Sequence, residues 1–248
     1  GFIVWRLTGR MTGDVSQGYG WRCFDMRARK FDADAARACG LNPALLPEPL
    51  PCHALAGGVT AEAARQTGLL QGTPVVAGGL DAACGTLGAG VRDAGQTQEQ
   101  GGQAGSMSIC LSEYAADKRL ILGCHAVPDR WLLQGGTTGG GGALRWLRET
   151  VCPELSFAQM DELAARAPAG SGGVVFLPYL AGERSPLWEP DARGVFFGLT
   201  YGVGRAELIR ACMEGVAYSL RHNLEVAERA GARAGTLRAT GGAANSRV

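Results

Sequence analysis

One stretch of the chain carries a long helical repeat of apolar residues. Within residues 205–227, apolar side chains recur every three or four positions, at Ile209, Met213, Val216, Leu220, Leu224 and Ala227. This spacing predicts an amphipathic helix of about six turns whose apolar face lies against the core. Shorter helices are predicted at residues 32–39, 61–67 and 157–166, the first of them capped by Asp32.

Short apolar runs bounded by glycine, proline or aspartate predict β-strands. These runs occupy residues 74–77, 106–111, 120–127, 131–134, 174–178 and 237–240. The three residues between positions 127 and 131 predict a hairpin with a three-residue loop. The proline-rich residues 42–51 are predicted to form an extended connector. Together the helices and strands indicate an α/β fold.

The run at residues 74–77 predicts a buried strand that is followed by one acidic residue. It ends in Gly78 and Gly79, and Asp81 follows. Open α/β sheets bind ligands at the carboxyl ends of their strands, so Asp81 is a candidate reactive carboxylate next to backbone that another group approaches closely. Asp is also a favoured N-cap, and Asp81 can equally cap a helix that begins near Ala82. Both interpretations stay open.

A run of glycines separates the strand at residues 131–134 from residues 143–149, which have helical character. Its sequence is Gly135-Gly-Thr-Thr-Gly-Gly-Gly-Gly142. A strand, a glycine loop and a helix are the ingredients for holding phosphate on backbone N–H groups at a helix N-terminus. The run is neither a Walker sequence nor a dinucleotide turn, so a surface loop is the alternative.

Two other turns follow strands. Glu183 and Arg184 come after the strand at residues 174–178, where they can face a ligand or anchor the loop by pairing with opposite charges. The turn Gly241-Gly242-Ala-Ala-Asn245-Ser follows the strand at residues 237–240 and can let a flat ring lie against bare backbone.

Composition narrows the class of protein. The chain has 248 residues, of which 46% are hydrophobic and 19% charged, with a formal net charge of +1. This balance favours a globular protein and gives no broad electrostatic reason to expect nucleic acid or an anionic membrane as a partner. No apolar run reaches the roughly 18 residues of a membrane helix. The chain begins at Gly1 in mid-pattern, as expected for part of a longer protein.

The cysteines and histidines do not form a recognisable metal or disulfide pattern. The eight cysteines include no C-x-x-C pair, and only three histidines accompany them. We therefore expect neither a zinc cage nor a disulfide framework, and assign no metal-binding residue. Most cysteines lie in apolar surroundings, which favours reduced thiols in a cytoplasmic protein.

Several stretches together resemble the FGGY family of carbohydrate kinases. The most specific is residues 176–199, which contains Gly182-Glu-Arg-Ser-Pro186 and is followed by a second signature at residues 205–215. Residues 76–90 resemble the family's strand-Gly-Gly-x-Asp segment, and residues 240–246 resemble its adenosine-site glycine pair.

The resemblance implies a ribonuclease-H-like (actin-like ATPase) fold with two domains around a cleft. Residues 1–90 would form the C-terminal part of the first, sugar-binding domain. Residues 91–248 would form the second, nucleotide-binding domain, truncated at its end. The family's opening strand and first phosphate loop have no counterpart in the sequence.

The resemblance also implies roles for particular residues. Asp81 matches the catalytic base, which contacts the sugar and accepts the proton of its hydroxyl. Eight residues match nucleotide-binding positions: Gly105 and Ser106 in a second phosphate loop, Thr137, Thr138 and Gly139 in a further loop, and Gly241, Gly242 and Asn245 at the adenosine. Ser106 stands where the family commonly has threonine, which keeps the hydroxyl. The implied cofactors are ATP and Mg²⁺.

The activity implied is ATP-dependent phosphorylation of a sugar hydroxyl, with a ketopentose such as xylulose as the default substrate. A polyol such as erythritol is the alternative, whereas Ala82 stands where glycerol-specific relatives usually have glutamine. Two other readings are an actin-like ATPase and a non-catalytic sugar-binding relative. The expected partner is a small sugar or polyol, with neither nucleic acid nor membrane; a homodimer is left open.

Overall fold

The computed structural model describes residues 1–246 and 248, which form two compact units. The first unit consists of Gly1–Ala94, Cys110–Tyr114 and Leu122–Leu132. The second consists of Gly95–Ile109, Ala115–Ile121 and Leu133–Val248. The predicted domain division at residue 90 remains a prediction.

The described residues contain seven α-helices. They are α1 (Phe2–Thr8), α2 (Ala33–Ala38), α3 (Ala61–Thr67), α4 (Asp81–Gly88), α5 (Gly141–Val151), α6 (Phe157–Ala164) and α7 (Arg205–Arg229). The four helices predicted at residues 32–39, 61–67, 157–166 and 205–227 are confirmed as α2, α3, α6 and α7. Asp32 caps α2 as predicted, because its side chain accepts the N–H groups of Asp34 and Ala35. No described helix has both the length and the apolar character needed to cross a bilayer.

Thirteen β-strands accompany these helices in the described part of the chain. They are β1 (Thr12–Asp14), β2 (Phe24–Asp25), β3 (Lys30–Phe31), β4 (Glu48–Leu50), β5 (Leu55–Gly58), β6 (Pro74–Val76), β7 (Thr97–Gly101), β8 (Gly105–Leu111), β9 (Ile121–Cys124), β10 (Trp131–Thr137), β11 (Val175–Leu177), β12 (Val195–Phe197) and β13 (Leu237–Gly241). Five of them form a sheet in the order β13-β7-β8-β10-β9. In this sheet β7 is antiparallel to β8 and parallel to β13.

Three sequence predictions about strands need correction. The connector at residues 42–51 contains β4, which pairs in parallel with β1. The predicted buried strands β6 and β11 each belong to a two-stranded sheet, so side chains on one face stay exposed, and Val76 is 49% exposed. The loop between β9 and β10 has six residues instead of three, because β9 already ends at Cys124; within it the N–H of His125 donates to the carbonyl oxygen of Arg130.

The buried face of α7 combines small and polar side chains with the apolar Ile209 and Val226. Its buried positions include Cys212, Gly215, Ser219 and Asn223, whereas most of the predicted apolar stripe is only half-buried. The reason is close packing. A Cβ atom on Gly215 would overlap the carbonyl oxygen of Phe176 in β11. Small residues thus let α7 approach its sheet more closely than a leucine stripe would allow.

All eight cysteines are free thiols, and six of them are buried. In the first unit, Cys52 and Cys124 pack in one apolar cluster with Val15 and Phe24. In the second unit, Cys152 and Cys212 belong to the core around Phe176. The predicted role of the thiols as small core side chains holds at these positions.

Candidate active site

Asp81 is the first residue of α4, and its side chain is exposed. Its Oδ1 atom accepts a 2.7 Å hydrogen bond from the backbone N–H of Ala82. Leu80 occupies the N-cap position, so the capping interpretation needs correction: Asp81 lies inside the first helical turn. The other carboxylate oxygen, Oδ2, accepts no hydrogen bond from the described residues.

The two glycines before Asp81 make room for side chains of the chain itself. Gly78 has a φ of 80°, a conformation that favours glycine. A Cβ atom on Gly79 would lie 2.9 Å from the Sγ atom of Cys84 and 3.3 Å from that of Cys52. The close approach predicted at this turn is therefore made by two thiols of the first unit.

A buried polar network holds the residue next to Asp81. The N–H of Leu80 donates a 2.7 Å hydrogen bond to Oγ of Ser16, and this hydroxyl donates in turn to Oδ1 of Asp14. Ser16 and Asp14 are 1% and 7% exposed. Because Leu80 is the N-cap of α4, Ser16 fixes the start of the helix on which Asp81 lies.

This network is not predicted from the sequence, in which Asp14 and Ser16 carry no assigned role. The available signal was Asp14-x-Ser16, a carboxylate two residues before a hydroxyl, directly before an aromatic segment. Nothing in that pattern identifies Leu80 as the third partner, because it lies 64 positions away in sequence.

The predicted nucleotide-binding segments of the second unit meet at one end of its sheet. Gly105 and Ser106 begin β8, directly after the β7–β8 turn. Thr137 ends β10, and Gly241 ends β13. A Cβ atom on Gly136 would lie 3.1 Å from Gly105 O, and one on Gly241 would lie 2.5 Å from Gly101 O. All three segments thus pack around the same β7–β8 turn.

The glycine run serves mainly this packing. Helix α5 begins at Gly141, two residues before the predicted helical stretch. The N–H groups of Gly141 and Gly142 donate to the carbonyl oxygens of Gly102 and Gln103, at 2.8 and 2.9 Å. These two donors at the N-terminus of α5 already have acceptors in the β7–β8 turn, so the predicted phosphate cradle is not formed by them. A Cβ atom on Gly140 would overlap the backbone of the same turn.

Glu183 anchors the loop at Thr137 and Thr138. Its Oε2 accepts a 2.6 Å hydrogen bond from Oγ1 of Thr137, and its Oε1 accepts a 3.0 Å bond from the N–H of Thr138. Glu183 is 5% exposed and Thr137 is fully buried. Of the two interpretations of Glu183, the structure favours the anchoring one, with neutral donors in place of the expected opposite charges. The side chain of Arg184 is exposed.

The turn at residues 241–245 leaves bare backbone at the surface. Gly241 has a φ of 85°, and Gly242–Asn245 is one exposed turn of 3-10 helix. The nearest atom to a Cβ placed on Gly242 would be 3.9 Å away. Upstream, Oγ1 of Thr240 accepts from Nε2 of Gln98 at 2.9 Å, which ties β13 to β7. This surface suits a flat ring lying on backbone.

Comparison with known proteins gives a consistent result. The FGGY family of carbohydrate kinases matches twice, with its N-terminal domain at residues 1–88 and its C-terminal domain at residues 105–248. A xylulose kinase of Bacillus subtilis is 30% identical over 99% of the chain, and a gluconokinase of the same organism is 32% identical over 100%. The chain spans about half the length of the curated relatives it matches.

The likeness extends to three dimensions. The crystal structure of xylulose kinase from Rhodospirillum rubrum superposes with a TM-score of 0.91 and 35% identity, covering 99% of this chain and 50% of that one. The predicted ribonuclease-H-like (actin-like ATPase) fold is thereby confirmed.

Proposed function

Because the chain belongs to the FGGY family of carbohydrate kinases, we propose that this protein transfers the γ-phosphoryl group of ATP to a sugar hydroxyl. The observation that carries the proposal is the exposed carboxylate of Asp81, whose Oδ2 is open while Oδ1 is held by Ala82. A ketopentose such as xylulose is the proposed substrate, supported by the relatives named xylulose kinase.

In this proposal Asp81 is the general base. A sugar hydroxyl is a very weak acid, so Asp81 receives its proton as the new P–O bond forms and not before. A carboxylate fixed through one oxygen presents the other in a constant direction. Ser16 contributes by holding Leu80, the residue immediately before Asp81.

The residues at the end of the second unit's sheet fit a nucleotide. We propose that Gly241, Gly242 and Asn245 contact the adenosine, which the bare and exposed backbone of this turn supports. Gly105 and Ser106, at the start of β8, contact a phosphate group of the nucleotide. Thr137, Thr138 and Gly139 form a further loop on the nucleotide side, which Glu183 positions by accepting a hydrogen bond from the Thr137 hydroxyl.

Mg²⁺ bound to the phosphates would neutralise charge on the transferred group. Among residues 1–246 and 248, no group of three or more His, Cys, Asp or Glu side chains could hold a metal ion. Proteins usually bind Mg²⁺ through substrate phosphates, waters and one or two carboxylates, so the proposal does not require such a group. The proposed compartment is the cytoplasm, which suits eight free thiols.

Gluconate is the second candidate substrate, because the gluconokinase relative matches the whole chain. The test is an ADP-release assay on the complete protein with xylulose, gluconate, erythritol and no sugar. Xylulose-dependent release supports the proposal, and gluconate- or erythritol-dependent release reassigns the substrate. Equal release of ADP without sugar would identify an ATPase. A protein that binds nucleotide but releases no ADP would be a non-catalytic relative.

The role of Asp81 is tested by Asp81→Asn in the same assay, which should abolish phosphoryl transfer and leave nucleotide binding intact. Asp34→Asn is the matched control, since Asp34 also lies exposed in the first turn of a short helix. Normal turnover in Asp81→Asn would refute the assignment of the base.

Whether the protein forms a homodimer is tested separately, by measuring its molar mass in solution with light scattering.

A further inference from the structure

The turn between β7 and β8 exposes an amide that hydrogen-bonds to nothing in the described part of the chain. The turn consists of Gly102, Gln103 and Ala104, and of these only Gln103 has a polar side chain. Gln103 is exposed, and its amide has no hydrogen-bond partner among residues 1–246 and 248. The amide carries two N–H donors and one acceptor oxygen, so both kinds of group are available to a ligand.

The amide of Gln103 lies at the N-terminus of α5. A Cβ atom on Gly142, the second residue of that helix, would overlap Nε2 of Gln103 and would lie 2.9 Å from its Cδ. Glycine at position 142 thus leaves the room that the amide occupies. The backbone holds Gln103 in this place, because its carbonyl oxygen accepts the N–H of Gly142 at 2.9 Å.

This helix end is where the glycine run predicts a phosphate cradle. The N–H groups of Gly141 and Gly142 donate to carbonyl oxygens of the turn, so they are not available to a ligand. Gln103 brings N–H donors to the same position on a side chain. The proposed phosphate contacts Gly105 and Ser106 begin β8, directly after the turn that carries Gln103. A nucleotide phosphate and the amide would therefore meet at one end of the sheet.

We propose that the amide of Gln103 donates a hydrogen bond to a phosphate group of the bound nucleotide, an inference that rests on the proposed function. The ionised oxygens of a phosphate accept hydrogen bonds, and a bond to a charged acceptor is stronger than one between neutral groups. The turn has no charged side chain, so its side-chain donor to the phosphate is neutral. Gln103 replaces the backbone donors of α5 that the turn has already bound.

A purely structural role for Gln103 would be to cover the end of α5. The two roles respond differently to Gln103→Glu, which keeps the shape of the side chain and adds a negative charge. A carboxylate is favourable at a helix N-terminus, so a structural Gln103 would tolerate the change without loss of stability or of nucleotide binding. Beside a phosphate the same carboxylate has no N–H to donate and repels the ligand.

The test is calorimetric titration of the complete protein with ATP at constant ionic strength. Gln103→Ala should weaken ATP binding about tenfold, the loss expected for one hydrogen bond to a charged acceptor. Gln103→Glu should weaken it further, while its melting temperature without nucleotide stays at or above that of the wild type. In steady-state kinetics both variants should raise the KM for ATP and leave the KM for the sugar unchanged.

Gln71→Glu is the matched control, because Gln71 is exposed in the first unit and the change in net charge is the same. It should bind ATP as the wild type does, and an equal loss there would overturn the proposal, since net charge alone would explain it. Unchanged ATP affinity in both Gln103 variants would also overturn it, as would losses of affinity that only follow losses of stability. A wild-type protein that binds no ATP would instead refute the proposed function itself.

Discussion

Thr137 and Glu183 are joined by a 2.6 Å hydrogen bond between Oγ1 and Oε2, although 46 positions separate them in sequence. Both side chains are buried. The family resemblance assigns Thr137 to the nucleotide, while this bond turns its hydroxyl toward the protein. The loop at Thr137 and Thr138 is thus held from behind by a carboxylate that also binds the N–H groups of Thr138 and Arg184.

Glu183→Gln should destabilise the second unit. The amide has one acceptor oxygen in place of two, so either the Thr137 O–H or the Thr138 N–H loses its acceptor. Leaving one buried donor unsatisfied costs about 1–3 kcal/mol. Urea denaturation of the purified protein measures the change in the free energy of unfolding.

Glu162→Gln is the control for this change, because Glu162 is exposed on α6. It should leave the free energy of unfolding within about 0.5 kcal/mol of the wild type. If Glu183→Gln were equally neutral, the loop would have another anchor and the contacts of Glu183 would be dispensable.

Local features of the fold were predictable from the sequence. Asp32 marks the start of a helix through hydrogen bonds within one turn, and the structure places it as predicted. Asp81 was located because a strand, two glycines and an acid follow one another directly. Its role stays a prediction.

Contacts between distant segments were not predictable. The buried face of α7 runs through Gly215, Ser219 and Asn223, which a hydrophobic repeat cannot identify because these residues are small or polar. The bond from Leu80 to Ser16 joins two segments that have no shared pattern. The glycine run leaves a phosphate loop and a surface loop open, because its hydrogen-bond partners, Gly102 and Gln103, lie about forty positions earlier.

Ser16→Ala should lower kcat for the proposed phosphoryl transfer. The change leaves Leu80 N–H without its acceptor and Asp14 without its closest donor, so Asp81 at the start of α4 is less well placed. A displacement of the order of 1 Å at a reacting group can cost about a hundredfold in rate. We expect kcat to fall by about tenfold to a hundredfold, with KM for ATP unchanged.

Steady-state kinetics on the complete protein measures kcat and the KM for ATP separately. Ser112→Ala is the control, because Ser112 is exposed and lies outside the network. A purely structural role would lower the melting temperature and the fraction of active protein while leaving kcat per active site unchanged. That result would contradict a positioning role for Ser16.

His125 should make the protein less stable in acid. Burial lowers its pKa in the folded state from an ordinary value of 6.5. Below pH 6.5 the unfolded chain binds a proton that the folded chain resists, so stability falls as the pH decreases from 6.5 toward the folded pKa. The slope contributed by one proton is at most about 1.4 kcal/mol per pH unit.

Unfolding in urea at pH 7.5 and pH 5.5 measures this slope. His125→Gln should flatten it, since an amide can still donate to Val91 O but does not titrate. His222→Gln, on the exposed side of α7, is the control and should keep the wild-type slope. An unchanged slope in His125→Gln would mean that other groups set the acid sensitivity.

Gly215→Ala should destabilise the packing of α7 on β11, although alanine is the better helix former. Alanine gains about 0.5–1 kcal/mol over glycine inside a helix. At Gly215 the new methyl group would overlap the carbonyl oxygen of Phe176, and overpacking of this kind costs about 1–3 kcal/mol, so the overlap prevails. At Gly85 in α4 no atom lies within 4 Å of the added Cβ, so Gly85→Ala should stabilise the protein. Urea denaturation of both variants measures whether the free energy of unfolding falls in Gly215→Ala and rises in Gly85→Ala. A stabilising Gly215→Ala would show that α7 can move away from β11 at little cost, and that its small buried face does not set the distance between them.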